Sequence, residues 1–120
     1  MLILEDDATL SIDNFKDKFN EIVNNLDNKI DILKLGWCGN QCLHAYIINK
    51  NSVSKILSKI DDCNIIDGQI EKLNREGIIT MKNIDNKYHN SEKQHWTSGL
   101  FHQIDGDSMQ TEYLSNNIYN

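Results

Sequence analysis

The chain opens with a short aliphatic run, residues 2–4, that leads directly into three carboxylates, Glu5, Asp6 and Asp7. A short apolar strand that ends in acids is typical of open α/β folds, which bind their ligands at the carboxyl ends of strands. On extended backbone Glu5 and Asp7 would point the same way, because side chains alternate along a strand. Oxygen ligands that converge in this way suit Mg²⁺ or Mn²⁺. The alternative interpretation is a solvated acidic loop.

Hydrophobic periodicity predicts alternating strands and helices, and therefore an α/β domain. After the strand at 2–4, a helix is predicted through Phe15 and Leu26, with Ser11 or Asp13 as its cap. A later helix is expected to be capped by Ser52. The remaining predicted elements are strands at 32–35, 44–48 and 78–81 and helices over 53–60 and 66–73.

We divide the chain into an α/β core at residues 1–82 and a mostly irregular segment at 83–120, because the sequence turns polar there. In the second part we expect loops, one or two short helical turns and a frayed end. No linker and no internal repeat separates the two parts, so the chain is treated as one domain.

The charge and hydropathy of the chain exclude some classes of protein. A net charge of -6 argues against a surface that binds nucleic acid or anionic membrane, since both require a basic face. The sequence contains no apolar run of bilayer length and no pattern typical of a secretory leader. We therefore expect a cytoplasmic chain without a transmembrane segment.

Three cysteines are too few for a disulfide framework. Cys38 and Cys42 are separated by three residues, one more than in a thioredoxin-type redox site. Zinc would need four ligands, and the sequence contains no second cysteine pair. Small buried thiols in a loop are the preferred interpretation, and a local disulfide is the alternative.

Four segments stand out by their order and spacing: Leu-Ile-Leu-Glu-Asp-Asp-Ala at 2–8, Asp-Ile-Leu-Lys-Leu-Gly at 31–36, Cys-Leu-His-Ala-Tyr-Ile-Ile-Asn-Lys at 42–50 and Ile-Asp-Gly-Gln-Ile at 66–70. Together they resemble glycosyltransferase family 25, which includes bacterial lipopolysaccharide glycosyltransferases and the collagen galactosyltransferases. The resemblance covers residues 1 to about 75 and is weak around 96–103. It implies a GT-A fold, with a three-layer mixed sheet and flanking helices. It also implies Mn²⁺ or Mg²⁺ and a nucleotide-sugar donor such as a UDP-hexose.

The resemblance further implies roles for single residues. Glu5 and Asp7 would bind the metal as the outer members of the acid-x-acid motif, with Asp6 beside the donor diphosphate. His102 would be an additional, late metal ligand. Asp67 would be the base that takes the proton of the acceptor hydroxyl. The residue pattern equally allows Asp67 to be a helix N-cap.

His44 and Tyr46 lie on the predicted third strand and are candidates for substrate binding on the acceptor side. For His44 the alternative is a hydrogen-bonded core histidine, and for Tyr46 it is packing against His44. Trp37 and Trp96 could stack on a sugar, although filling the core is the default role of tryptophan.

A GT-A domain normally has further strands and helices before its acidic motif, whereas Met1 lies directly on the acidic strand. The resemblance therefore implies the carboxyl-terminal half of such a domain, truncated at the N-terminus, with an exposed apolar sheet edge. We expect a second copy or a partner chain to cover this edge. The alternative function is a non-catalytic glycosyltransferase remnant that acts as an interaction or self-associating module.

Overall fold

The computed structural model describes residues 1–38, 42–61, 64–88 and 98–103. The helices are α1 (Phe15–Asn24), α2 (Val53–Leu57) and α3 (Ile66–Arg75), with 3₁₀ turns at Lys50–Ser52 and Asn86–Tyr88. The strands are β1 (Leu2–Leu4), β2 (Ala8–Leu10), β3 (Ile32–Trp37), β4 (Ala45–Ile48), β5 (Met81–Asn83), β6 (Ser98–Gly99) and β7 (Phe101–Gln103).

The main sheet is mixed, as predicted. Its order is β1-β4-β3-β5, and β6 pairs with the end of β3 at Gly36 and Trp37. The β3–β5 pair is parallel and the other pairs are antiparallel. A second, two-stranded antiparallel sheet joins β2 to β7. The fold is therefore a small mixed α/β domain, in which β3 and β4 occupy the centre of the main sheet.

Apolar side chains cover both faces of this sheet because residues alternate along β3 and β4. On one face, Leu33, Leu35, Ala45 and Ile47 pack against α1, against Leu100 and against Phe101 of β7. On the other face, Ile32, Tyr46 and Ile48 pack against α2 and α3 through Ile56, Ile70 and Leu73. The central strands are thus buried on both sides, which fits their continuous apolar sequence.

The predicted start of α1 is wrong. Its N-cap is Asn14, a residue at φ 57° whose side chain makes no capping bond. Ser11 is fully buried instead, and its hydroxyl is hydrogen-bonded to His102. Asp13 is exposed. The bond between Ser11 and His102 of β7 therefore outweighs the local preference for a serine or aspartate cap.

Ser52 has the predicted N-cap position of α2, but its side chain does not make the expected capping hydrogen bond. The hydroxyl donates to Asp31 instead, which links α2 to the start of β3. In the described structure α2 ends at Leu57, before Ile60.

The strand predicted at 78–81 begins later, at Met81. Gly77 has φ 76°, and the N–H groups of Ile78 and Ile79 donate to the carbonyl of Leu73 at the end of α3. Their backbone therefore closes the helix and cannot also form a strand ladder. The helical turn expected after residue 83 is present at Asn86–Tyr88, whereas β2, β6 and β7 were not predicted.

Cys38 and Cys42 form a disulfide, so the preferred prediction of free thiols is wrong and the alternative is confirmed. The bond closes the loop between β3 and β4. Among the described residues, no helix has both the length and the apolar character needed to cross a membrane. Trp96 and the end of the chain from 104 to 120 lie outside the described residues.

Candidate functional site

The candidate site lies where β1 ends. β1 pairs with β4, and beyond this pairing the N–H of Glu5 donates to the carbonyl of His44 at 2.9 Å. The chain then turns, because the N–H of Ala8 donates to the carbonyl of Glu5 at 3.1 Å. Asp6 and Asp7 therefore lie in a tight turn, and the prediction that Glu5 and Asp7 share one side of an extended strand is wrong. Asp6 is exposed, while Glu5 and Asp7 are half-buried.

Helix α3 brings Asp67 to the same place. Asp67 lies in the first turn of the helix, and the N-cap is Ile65, so the N-cap interpretation of Asp67 is wrong. The backbone N–H of Leu43, just before β4, donates to the Asp67 carboxylate. The positive end of the helix dipole also favours a carboxylate at this position. Asp67 is thereby held against the edge of the sheet from which Glu5 and Asp7 emerge.

These carboxylates interact electrostatically. Partial burial and, next, the negative charges of Asp67 and Asp7 raise the pKa of Glu5 to about 7, against a weaker opposing hydrogen bond from Gln103. Burial also raises the pKa of Asp67, and the charge of Asp7 adds to this effect. Acids from the first turn of the chain and from α3 therefore share one poorly solvated environment, as in sites that bind cations or transfer protons.

The sequence interpretation missed Lys34, a buried lysine on β3 that interacts with Asp67. Lys34 is only 2% exposed and lies opposite Tyr46 on the neighbouring strand. Burial lowers the pKa of Lys34, and the carboxylates of Asp67 and Glu71 on α3 oppose that effect. Burial, then the charges of Asp67 and Glu5, raise the pKa of Tyr46. The sequence signal for Lys34 was a lone cation within the apolar run of β3.

His44 is fully buried at the start of β4, with 0% exposure. Its Nε2 lies 3.1 Å from the carbonyl oxygen of Phe101 and donates to it. Position 36 must be glycine for this ring to fit, because a Cβ there would overlap His44 Nε2. His44 is thus a hydrogen-bonded core histidine, which was one of the two interpretations of the sequence.

The late strand β7 adds two polar side chains to this region. His102 is half-buried, and a hydrogen bond of 2.8 Å joins its Nδ1 to the hydroxyl of Ser11. The amide of Gln103 donates to Glu5 Oε2 at 3.5 Å. The β2–β7 pairing, with Thr9 opposite His102, brings this segment beside the acidic turn.

The residues predicted to bind a metal only partly meet the requirements of such a site. Within the described part of the chain, no three His, Cys, Asp or Glu side chains are grouped closely enough to hold a metal ion. Two buried atoms of this region, Asp7 Oδ1 and His44 Nδ1, nevertheless have no hydrogen-bond partner among the described residues. The metal assignment to Glu5, Asp7 and His102 therefore remains a prediction, and Asp7 is the member whose environment favours it.

Comparisons with protein-family models, curated proteins and solved structures found no match to this chain. The chemistry of the site rests on its own residues, which are three neighbouring carboxylates, a buried ammonium, a phenol and a buried imidazole. Such a set can accept a proton near neutral pH.

Proposed function

We propose that this chain is a glycosyltransferase-like domain that transfers a hexose from a nucleotide sugar to a hydroxyl group on a glycan, lipid or protein. The observation that carries the proposal is that Glu5, Asp7 and Asp67 interact at one end of the sheet. The resemblance to glycosyltransferase family 25 gives a role to each of these three acids. A GT-A arrangement of the mixed sheet is part of the same proposal.

In this proposal Asp67 is the base that takes the proton of the acceptor hydroxyl. The acceptor oxygen forms a bond to the sugar carbon while the bond from that carbon to the diphosphate oxygen breaks. The raised pKa of Asp67 suits it to this step, since burial makes its carboxylate a better proton acceptor. The Leu43 N–H and the Lys34 ammonium keep the carboxylate in place before the proton arrives.

Glu5 and Asp7 are assigned to the donor side, with Asp6 facing the diphosphate from the exposed part of the turn. Mn²⁺ or Mg²⁺, when bound, would offset the negative charge of the departing diphosphate. His44 and Tyr46 are the residues predicted for the acceptor side. Only Tyr46 keeps this role, because the His44 ring is fully buried in the core, whereas the charges of Asp67 and Glu5 act on the Tyr46 phenol.

The proposal is tested by calorimetry with uridine and guanosine diphosphate, with and without Mn²⁺, and by the release of free sugar from sugar nucleotides. The wild type should bind a diphosphate only with Mn²⁺ and should slowly hydrolyse the matching sugar nucleotide. Asp67→Asn should retain binding and lose at least about 100-fold in hydrolysis, the usual range for a missing general base. Asp13→Asn, an exposed change outside the site, is the control. Wild-type protein that binds no diphosphate with Mn²⁺ would reject the transferase proposal.

A second candidate function, self-association, is favoured by the outer edge of β1. In the described sheet β1 pairs only with β4, and its Leu2 and Leu4 side chains are 37% and 47% exposed. A groove of about 600 Å³ adjoins this edge, lined by apolar residues of β1 and α1 that include Leu2, Phe19 and Val23. An apolar, unpaired strand edge is a template for pairing with a second copy of the chain.

Light scattering tests the self-association proposal. The wild type should give the mass of a dimer, and Leu4→Lys should give that of a monomer, because a lysine at a sheet edge disfavours pairing. Leu57→Lys, at an exposed position on α2, is the matched control and should stay dimeric. A monomeric wild type at high concentration would contradict this function.

A further inference from the structure

Helix α3 places two carboxylates over a buried lysine of the main sheet. Lys34 lies on the same face of the sheet as Tyr46, because the two residues are directly opposite each other on β3 and β4. Tyr46 belongs to the core cluster that contains Ile70 of α3, so this is the face that the helix covers. Asp67 precedes Ile70 by three positions and Glu71 follows it, which places both carboxylates on the side of α3 that faces the sheet. They are one helical turn apart.

The buried ammonium depends on these two carboxylates. Lys34 is only 2% exposed, and a buried charge is costly unless opposite charges compensate it. Burial lowers the pKa of Lys34, and the charges of Asp67 and Glu71 oppose this effect. Two titratable groups of β4 are also near Lys34: Tyr46 lies opposite it, and the lysine charge acts on His44. Burial raises the pKa of Tyr46 and lowers that of His44, so neither supplies a negative charge at neutral pH.

Glu71 and Asp67 differ in their own surroundings. Arg75 Nη1 lies 2.8 Å from Glu71 Oε2, and the Glu71 side chain is 15% exposed. A guanidinium is always charged in proteins, so Arg75 favours the ionised form of Glu71. Burial and, more weakly, the charge of Asp7 instead raise the pKa of Asp67. Of the two carboxylates over Lys34, Asp67 is therefore the one that takes up a proton first.

We propose that Glu71 is a positioning residue of the site, which keeps the Lys34 ammonium charged while Asp67 carries a proton. In the proposed reaction the O–H bond of the acceptor breaks and its proton goes to the Asp67 carboxylate, so Lys34 loses the charge of one partner. The charge of Glu71 remains, and Lys34 therefore keeps its own proton. When Asp67 releases its proton, the ammonium is still in place to hold the carboxylate. The proton cycle rests on the proposed function, whereas the arrangement of the three charges does not.

The test follows the protonation of Lys34 by nuclear magnetic resonance of the whole chain, with ¹³C-labelled lysine and without ligand. Asp67→Asn represents the protonated state of Asp67, because its amide is neutral and similar in shape. In this variant Lys34 should stay charged at pH 7. Adding Glu71→Gln should lower the midpoint of the Lys34 titration by about one pH unit or more, the usual effect of removing a nearby opposite charge. Adding Glu76→Gln instead, an exposed change at the end of the same helix, should leave the midpoint unchanged.

Thermal melting curves establish whether each variant is folded. Equal Lys34 midpoints in the Glu71→Gln and Glu76→Gln double variants would overturn the inference. If the double variant with Glu71→Gln does not fold, Asp67→Asn alone decides: a charged Lys34 at pH 7 supports the inference, and a neutral one overturns it.

The role of Glu71 in the reaction has a separate measurement. Glu71→Gln alone should bind a nucleoside diphosphate as the wild type does and lose about tenfold in sugar release, less than the loss of about 100-fold expected for the base itself. Unchanged sugar release in this variant would contradict the positioning role. The predicted Lys34 titration in a protein that neither binds a diphosphate nor hydrolyses sugar nucleotides would uphold the action of Glu71 on Lys34 and reject the transferase.

Discussion

Glu5→Gln should make the protein more stable at alkaline pH. The Glu5 pKa is raised from its ordinary value of 4.5 to about 7, first by burial and then by the charges of Asp67 and Asp7. Between these two pH values the folded state binds more protons than the unfolded state, so stability falls as pH rises through this range. The full effect has an upper bound of about 3.4 kcal/mol, at about 1.4 kcal/mol per pH unit. Because Glu5 is only half-buried, solvent screening reduces the expected value to about 1–2 kcal/mol.

Urea denaturation at pH 4 and pH 8.5, in a chelating buffer that removes divalent cations, measures this difference. The variant should match the wild type at pH 4 and exceed its free energy of unfolding by about 1–2 kcal/mol at pH 8.5. Glu76→Gln, an exposed change on the far end of α3, should leave the pH dependence unchanged. If Glu5→Gln and the wild type lose stability equally between the two pH values, Glu5 does not lie in the electrostatic environment described above.

Three further substitutions test the framework around the site by urea denaturation. Gly36→Ala should lower the free energy of unfolding by about 2 kcal/mol or more, because its Cβ would overlap His44 Nε2. Gly68→Ala meets open space and should not destabilise the protein. An equal loss of stability in Gly36→Ala and Gly68→Ala would refute the described packing of His44. Asp31→Asn should cost about 2 kcal/mol, since its carboxylate accepts from the Ser52 hydroxyl and from the Thr80 N–H at 2.7 Å. Burial opposes these bonds, but together they lower the pKa of Asp31. The stability that they contribute is complete above the ordinary pKa of an aspartate and is lost as pH falls through the lowered pKa. Cys38→Ser should cost about 2 kcal/mol through loss of a short-loop disulfide, and equal stability of wild type and variant under oxidising conditions would contradict this.

The parts of the fold that the sequence predicts are those with strong apolar periodicity. α1, α3 and the two central strands were predicted because each buries a regular set of side chains. Local rules failed where tertiary contacts competed for the same groups. Ser11 and Ser52 were predicted as caps, but each hydroxyl bonds to a residue distant in the chain, His102 or Asp31.

The short strands β2 and β7 could not be predicted from local pattern. Each has three residues and a partner that is remote in sequence, as the Ser11–His102 bond across 91 positions illustrates. Neither has the length or the alternation that identifies a strand from sequence alone.

The acids of the candidate site were identified from sequence, but their surroundings were not. Glu5, Asp7 and Asp67 stand out as carboxylates beside apolar elements. The Leu43 N–H that binds Asp67 is a backbone group, which leaves no trace in the residue pattern. Lys34 had a recognisable signal, since a lysine inside an apolar strand needs a compensating partner.

The late strand β7 also governs when the site can form during synthesis. The Phe101 carbonyl orients the His44 ring and Gln103 reaches Glu5, which precedes it by 98 positions. A nascent chain still on the ribosome carries its acidic turn long before these partners leave the exit tunnel. Such distant contacts give a high contact order, which slows folding because a long loop must close first. The candidate site therefore matures only after β7 has left the exit tunnel.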